Sequence, residues 1–282
     1  MKNHLSKNLD LKGKKVLLRL DLNVPMENGA ITETSRIEKI IPTIKLLSEK
    51  QAKIIILSHI GRPKGKVVKE MSLKPISEKL SLLLKKKVLF NNSPLNGDAK
   101  FEIDKINDGS ITMLENIRFN KEEESNDKKF AKKISDLGDI YVNDAFSCSH
   151  RSHASIDAIT KYIPSYFGLQ ISQEISALEK ITNKIEKPVS LVIGGSKIST
   201  KFKIINNLIK KFDNAIIVGG MANTILKHTG KNVGKSICER DSGDLVKQIF
   251  ENSKKYDCEI IIPNDVIVSK SLDGTGKEKD IN

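Results

Sequence analysis

Lys53-Ile-Ile-Ile-Leu57 runs without a spacer into Ser58-His59-Ile-Gly61-Arg62-Pro63-Lys-Gly65. A short β-branched run that ends in serine, histidine, glycine and proline reads as a strand buried on both faces, delivering its chain into a loop that can hold an anion. Upstream, Ser35 to Leu47 has helical spacing and Lys15 to Leu20 is a second apolar run, so the first unit outward is strand, helix, strand. Downstream the alternation continues, with strands expected at Val88 to Phe90, Ile111 to Leu114 and Ile140 to Val142 and helices at Ser72 to Lys85 and Asn126 to Leu137. Alternation of this kind implies right-handed crossovers, a largely parallel sheet with helices on both faces, and ligands at the carboxyl ends of the strands.

Ile163-Pro164 interrupts the pattern, and Gly168 to Ile185 then reads as one long helix with Leu169, Ile171, Ile175, Leu178 and Ile181 at apolar positions. After Pro188 a second alternation begins: strand Val189 to Ile193, helix Thr200 to Lys210, strand Ala215 to Val218, helices Ala222 to Lys227 and Asp244 to Lys255, and strand Glu259 to Ile262. At 282 residues the chain is long enough for two domains. The expected fold is α/β, two Rossmann-like three-layer domains with mainly parallel sheets, spanning 1–167 and 188–282 and joined by an interdomain helix and hinge at 168–187.

Formal net charge is +13, from 48 basic and 35 acidic residues. Only six of the basic residues are arginines, and five of those six (Arg19, Arg36, Arg62, Arg118 and Arg151) fall in the first 151 positions. Lysine spread over every segment is solvation; arginine at strand ends points to bidentate recognition of an oxyanion. Aromatic residues are 5% of the chain, too few for the stacking platforms of a nucleic-acid binder. No apolar run approaches the roughly 20 residues of a membrane helix, and Met1 to Asp10 does not read as a secretory signal. The three cysteines, Cys148, Cys238 and Cys258, lack a C-x-x-C pair, which fits a reducing, cytoplasmic compartment.

The arginines sit in polar clusters. Arg19 lies in Arg19-Leu-Asp21-Leu-Asn23-Val-Pro25, where an Asx turn and a ligand site are equally good readings. Arg118 follows Leu114-Glu115-Asn116-Ile, ahead of Glu122-Glu123-Glu124, which reads as the acidic first turn of a helix. Arg151 lies in Asn143-Asp144-Ala-Phe146-Ser-Cys148-Ser-His150-Arg151-Ser-His153. Cys148, His150 and His153 lack a fourth ligand at usable spacing and do not form a metal framework. Together the histidines and arginines suit a small polyanion such as a phosphorylated acid. In the second half, Val192-Ile-Gly194-Gly195-Ser196-Lys197 and Ile217-Val218-Gly219-Gly220-Met221 are each strand, glycine pair, helix, a pattern explained equally by close helix packing and by phosphate at a helix amino end. Neither is a Walker A loop. Lys197 and Lys201 are within reach of phosphate oxygens.

Seven segments, in order, resemble the phosphoglycerate kinase family: Arg-Leu-Asp-Leu-Asn-Val-Pro, Ser-His-Ile-Gly-Arg-Pro, Leu-Glu-Asn-Ile-Arg-Phe, Tyr-Val-Asn-Asp-Ala-Phe, His-Arg-Ser-His-Ala-Ser, Gly-Gly-Ser-Lys and Val-Gly-Gly-Met-Ala-Asn-Thr. The resemblance runs from about Lys12 to Asp265. It implies an N-terminal domain that binds 3-phosphoglycerate or 1,3-bisphosphoglycerate through Asp21, Asn23, Arg36, His59, Arg62, Arg118 and Arg151, with Arg19, His150 and His153 completing a basic patch. It also implies a C-terminal domain that binds ATP or ADP, with Mg2+, through Gly194, Gly195, Lys197, Lys201, Gly219 and Gly220. The reaction implied is phosphoryl transfer between 1,3-bisphosphoglycerate and ADP, with Arg36 and Lys197 as the catalytic cations and the protein a monomer. Ser147, Ser196 and Val218 depart from the family's usual residues. The family's later Trp-Asn-Gly-Pro and Gly-Gly-Gly-Asp-Thr segments do not occur, and Trp is 0. The chain is therefore expected to be C-terminally truncated, its second domain partial and without a metal ligand of its own; the alternative expectation is a catalytically incompetent module that only binds phosphoglycerate.

Overall fold

A computed structural model describes residues 4, 5, 8–27, 29–93, 95, 97–183, 185–269 and 279–281. The chain divides into two compact units, Met1–Leu178 and Glu179–Asn282.

The first unit is built on β1 (Lys15–Leu20), whose side chains alternate between two cores. Val16, Leu18 and Leu20 join one core, and Leu17 joins the other. A two-residue hairpin, β2 (Met26–Glu27) and β3 (Ala30–Ile31), leads to α1 (Ser35–Glu49). That helix continues through Pro42 because Ile37, Ile40, Ile44 and Leu47 seat its inner face in the first core. β4 (Lys53–Leu57) follows, then α2 (Lys74–Leu84), which starts two residues later than its sequence pattern suggests because Ser72 Oγ accepts from Lys74 N. Next come β5 (Val88–Asn91), α3 (Gly97–Asp104), β6 (Ile111–Leu114), the single turn α4 (Lys121–Glu124) and α5 (Lys128–Ser135), whose amino end is capped by Asp127. β7 (Ile140–Asp144), β8 (Ser165–Phe167) and α6 (Leu169–Thr182) complete the series.

All six strands of the main sheet are parallel, in the order β5-β6-β4-β1-β7-β8. The α1 and α2 residues pack with one face; Ile103, Phe130, Ala131 and Ile134 pack with Leu17, Ile55 and Tyr141 on the other. Helices on both faces make this unit three-layered, as expected. The chain leaves β1 toward β4 and later crosses to β7 on the opposite side, so the carboxyl ends of β4, β1 and β7 bound the crevice where such sheets take ligands. β8 was not expected: it is three residues long and opens directly after Pro164, yet pairs with β7 from Tyr141 to Asn143.

In the second unit β9 (Ser190–Gly194), α7 (Phe202–Ile209), β10 (Asn214–Val218), α8 (Gly219–His228), α9 (Gly243–Tyr256) and β11 (Glu259–Ile261) follow the sequence pattern closely. The sheet is parallel, in the order β11-β10-β9. Ile205, Ile209, Met221, Ile225, Val246 and Ile249 bring all three helices onto the face carrying Ala215 and Ile217. The opposite face is open among the described residues, where Val192 is 66% exposed. An antiparallel pair, β12 (Val266–Val268) and β13 (Lys279–Ile281), lies beyond the last strand expected from the sequence pattern. No described helix is long and apolar enough to cross a membrane.

Candidate functional site

Register brings the site together. Arg19 on β1 stands level with Leu57 on β4 and Asn143 on β7, so the loops that follow these strands converge. Arg19 faces the same side as Leu17 and is fully buried. Its Nε donates to Ser155 Oγ at 2.9 Å, its Nη1 to Leu20 O, and its Nη2 meets His59 Nδ1 at 3.1 Å. Ser155 is itself held by Glu123: its Oγ donates to Oε1 at 2.6 Å and its N to Oε2 at 2.9 Å. Tyr141 OH donates to Ser155 O at 2.6 Å, and burial raises the Tyr141 pKa.

Glu122-Glu123-Glu124 is the acidic first turn of a helix, as its sequence reads, but Glu123 within it is fully buried and anchors the loop after β7. Nothing local in the sequence distinguishes it from its two neighbours.

Arg118 is buried in the turn after β6, with Asn116 Oδ1 accepting from its backbone N. One guanidinium nitrogen, Nη1, donates to Gly61 O at 2.8 Å. Its Nε lies 3.5 Å from Glu124 Oε1, an ion pair without hydrogen-bond geometry, and Nε and Nη2 are both buried with no hydrogen-bond partner. Arg151 Nε and His153 Nδ1 are orphaned in the same way, the latter 3.8 Å from Glu123 Oε1. Burial lowers the pKa of both Arg118 and His153. At His59, burial and then the charges of Arg19, Arg118 and Arg151 push the pKa down to about 2. Buried donors are almost always paired in native proteins, so four orphaned atoms in one cluster mark a place for an acceptor with several oxygens.

A second cluster surrounds Asp21. Its Oδ2 accepts from Arg36 Nη1 at 2.6 Å and from Ser147 Oγ, and its Oδ1 from Asn23 N at 3.1 Å. Asn23 Oδ1 in turn accepts from Gly61 N at 2.9 Å. A cavity of about 270 Å³ lies here, lined by Asp21, Arg36, Lys39, Asp144, Ser147 and Gln170 among others. Arg62 and His150 are exposed; the structure gives neither a contact with the buried set. Two further cavities, about 320 and 420 Å³, have none of these residues in their walls.

Metal chemistry has little to work with. Asp21, His59 and Cys148 place ligand atoms within 4.8 Å of one another, but Asp21 already serves Arg36, and His59 is ringed by arginines. Mg2+ demands oxygen ligands, so this trio does not fit it. Cys148, His150 and His153 do not assemble into a ligand set among the described residues.

In the second unit the glycine pairs bring two loops into backbone contact. Met221 N donates to Gly195 O at 2.9 Å, and a Cβ on Gly220 would stand 3.1 Å from both Gly195 O and Ser196 Cα. Close packing is therefore sufficient reason for Gly220. Gly194, Gly195 and Gly219 are exposed, as are Lys197 and Lys201. Lys201 is the N-cap of α7 and not a residue on its face, since the helix starts two positions later than the sequence pattern suggests. Ser199 N donates to Glu239 Oε2 at 3.0 Å, and hydrogen bonds from Ser199 hold the Glu239 carboxyl below its usual range.

The phosphoglycerate kinase profile matches residues 6–282. A phosphoglycerate kinase of a Chelativorans species is 44% identical over 273 residues, covering 97% of this chain and 69% of the relative. That of Bradyrhizobium diazoefficiens is 47% identical over 261 residues, covering 93% and 65%. The structure of phosphoglycerate kinase from Coxiella burnetii superposes with a TM-score of 0.83 at 39% identity, over 98% of this chain and 69% of that one. The chain thus spans about two thirds of the length of the curated relatives it matches. With sequence, profile and fold in agreement, the chain belongs to the phosphoglycerate kinase family.

Proposed function

We propose that the first unit binds 3-phosphoglycerate, and 1,3-bisphosphoglycerate in turnover, and that the second binds the phosphates of ATP or ADP. The reaction is phosphoryl transfer from 1,3-bisphosphoglycerate to ADP, and its reverse. The observation that carries the acid-binding reading is the set of orphaned buried donors on Arg118 and Arg151 beside His59. A phosphorylated carboxylic acid carries enough oxygens to satisfy them, in charge-assisted bonds of about 1.5–3 kcal/mol each.

In the reverse direction the nucleophile is a carboxylate, with a pKa of about 3.5 in its unperturbed form, and is ionised at neutral pH. No general base is required. What the chain supplies is grip and neutralisation of charge. Arg118, Arg151 and His59 hold the acid, with Arg19 behind them. Arg36, tethered by Asp21 but half exposed, is proposed to neutralise charge on the acid bound by the first unit, and Lys197 charge on the nucleotide phosphates bound by the second. Gly194, Gly195, Gly219 and Gly220 admit phosphate oxygens to backbone N–H groups at the start of α8. Magnesium would arrive on the nucleotide phosphates; the described residues form no oxygen-rich set to hold it, and none of the steps above depends on it.

Calorimetric titration tests the acid-binding reading. The chain should bind 3-phosphoglycerate, with affinity falling as salt rises, and bind glycerate, which lacks the phosphate, far more weakly. Equal affinity for the two acids, or none for either, would remove the phosphate from the arginine cluster.

A further inference from the structure

We infer that Glu123, Ser155 and Arg19 are positioning residues that lock His59 as the neutral tautomer protonated on Nε2, giving the acid site a fixed, uncharged hydrogen-bond donor. The direction of every bond in the relay is dictated by chemistry. A guanidinium has five donors and no acceptor, so the 3.1 Å contact of Arg19 Nη2 with His59 Nδ1 requires a lone pair on Nδ1. The ring proton therefore sits on Nε2, which has no hydrogen-bond partner among the described residues and points away from Arg19. On the other side, the Ser155 hydroxyl has one proton, and the 2.6 Å bond to Glu123 Oε1 uses it. A serine lone pair is thus left for Arg19 Nε at 2.9 Å. Glu123 accepts a second bond from Ser155 N, so the hydroxyl cannot turn to face Arg19 with its proton without giving up a buried pair.

Each member is buried, and each supports the next. Arg19 and Glu123 are fully buried, and the pair offset each other's charge through a single serine. His59 is only 3% exposed. The charged and titratable groups that bear on it come from three further elements: Arg118 after β6, Arg151 and His153 after β7, and Asp21 and Cys148, whose ligand atoms lie within 4.8 Å of the ring. The cations among them act against an imidazolium, in the same sense as the Arg19 bond. An ordinary histidine titrates between about pH 5 and 8, and would make the site's charge vary over the physiological range. This one contributes a constant donor instead. What the anion is rests on the acid-binding reading above; the tautomer does not.

The test is spectroscopic. The chain is labelled with 15N in histidine, and two-bond proton–nitrogen correlations are followed between about pH 5 and 8. His59 is identified by the signals lost in His59→Gln. Its pattern should be that of the Nε2-protonated neutral ring and should not move across the range. In Ser155→Ala, Arg19 loses its acceptor and Glu123 its link, so His59 should show mixed tautomers or begin to titrate. Ser155→Thr, which restores the hydroxyl, should recover the native pattern. An Nδ1-protonated ring, an imidazolium, or titration of His59 in the native chain would overturn the lock, whether or not the Ser155 variants fold. A Ser155→Ala spectrum identical to the native one would remove Ser155 and Glu123 from it. Adding 3-phosphoglycerate should shift the Nε2 proton. A locked His59 that ignores the acid would overturn the acid-binding reading and leave the lock standing.

Discussion

Arg118→Met separates binding from stability at the centre of the site. In the folded chain Arg118 is 2% exposed, and two of its three guanidinium nitrogens lack a hydrogen-bond partner. Each such buried orphan costs about 1–3 kcal/mol, while the single bond to Gly61 O returns about 1.5–3 kcal/mol. The ion pair with Glu124, whose side chain is 39% exposed, adds at most about 1 kcal/mol. These contributions nearly cancel. Methionine keeps much of the length and apolar stem without the orphans, so the unfolding free energy should change by less than about 1 kcal/mol in either direction. Binding should behave differently. Losing two charge-assisted contacts to the acid, at about 1.5 kcal/mol each, removes about 3 kcal/mol and weakens 3-phosphoglycerate roughly 150-fold. Urea unfolding followed by circular dichroism gives the first quantity, and calorimetry the second. Stability lost by more than about 3 kcal/mol, with affinity retained, would make Arg118 a structural residue and refute the reasoning.

Three other substitutions probe the scaffold. A Cβ at Gly168 would lie 2.3 Å from Asp144 Cγ, which is fixed by Thr43 and by Ile171 N at 2.9 Å. Gly168→Ala should therefore lower stability by about 1–3 kcal/mol; an unchanged urea midpoint would show that Asp144 yields freely. Burial raises the Asp144 pKa in the folded chain above its unfolded value near 3.9, so the folded state binds the proton more tightly and this residue's contribution to stability falls as pH rises through the raised pKa. The stability of Asp144→Asn relative to the native chain should accordingly be higher at neutral pH than at about pH 4, and a difference independent of pH would contradict the shift. Gly220→Ala pushes against backbone atoms of Gly195 and Ser196, so the Met221 amide, bonded to Gly195 O at 2.9 Å, should lose hydrogen-exchange protection. Retained protection would show that the two loops part without cost.

The first unit's main strands were legible because β1, β4, β6 and β7 are buried on both faces and read as unbroken apolar runs between turn residues. β8 was not, since its three half-buried residues carry no period and follow a proline. The site was legible where charge interrupts apolarity: Arg19 inside a strand, His59 two residues beyond another. Glu123 was hidden for the opposite reason. Flanked by two glutamates it looks solvated, and its partner Ser155 lies 32 residues away, so only the folded chain reveals which of the three turns inward. For the glycines of the second unit, sequence offered packing and phosphate as equal readings, and the observed backbone contact at Gly220 accounts for that residue without a ligand.

The Nε–H groups of Arg118 and Arg151 give the most direct test of acid binding by the first unit, because both are buried and orphaned in the free chain. Arginine side-chain correlation spectra recorded with and without saturating 3-phosphoglycerate should show these two signals shifting and gaining protection from exchange with water, while the signal of Arg240, in the second unit, stays in place. If 3-phosphoglycerate leaves Arg118 and Arg151 unchanged, the orphaned donors do not serve the acid, and the proposed function of the site fails.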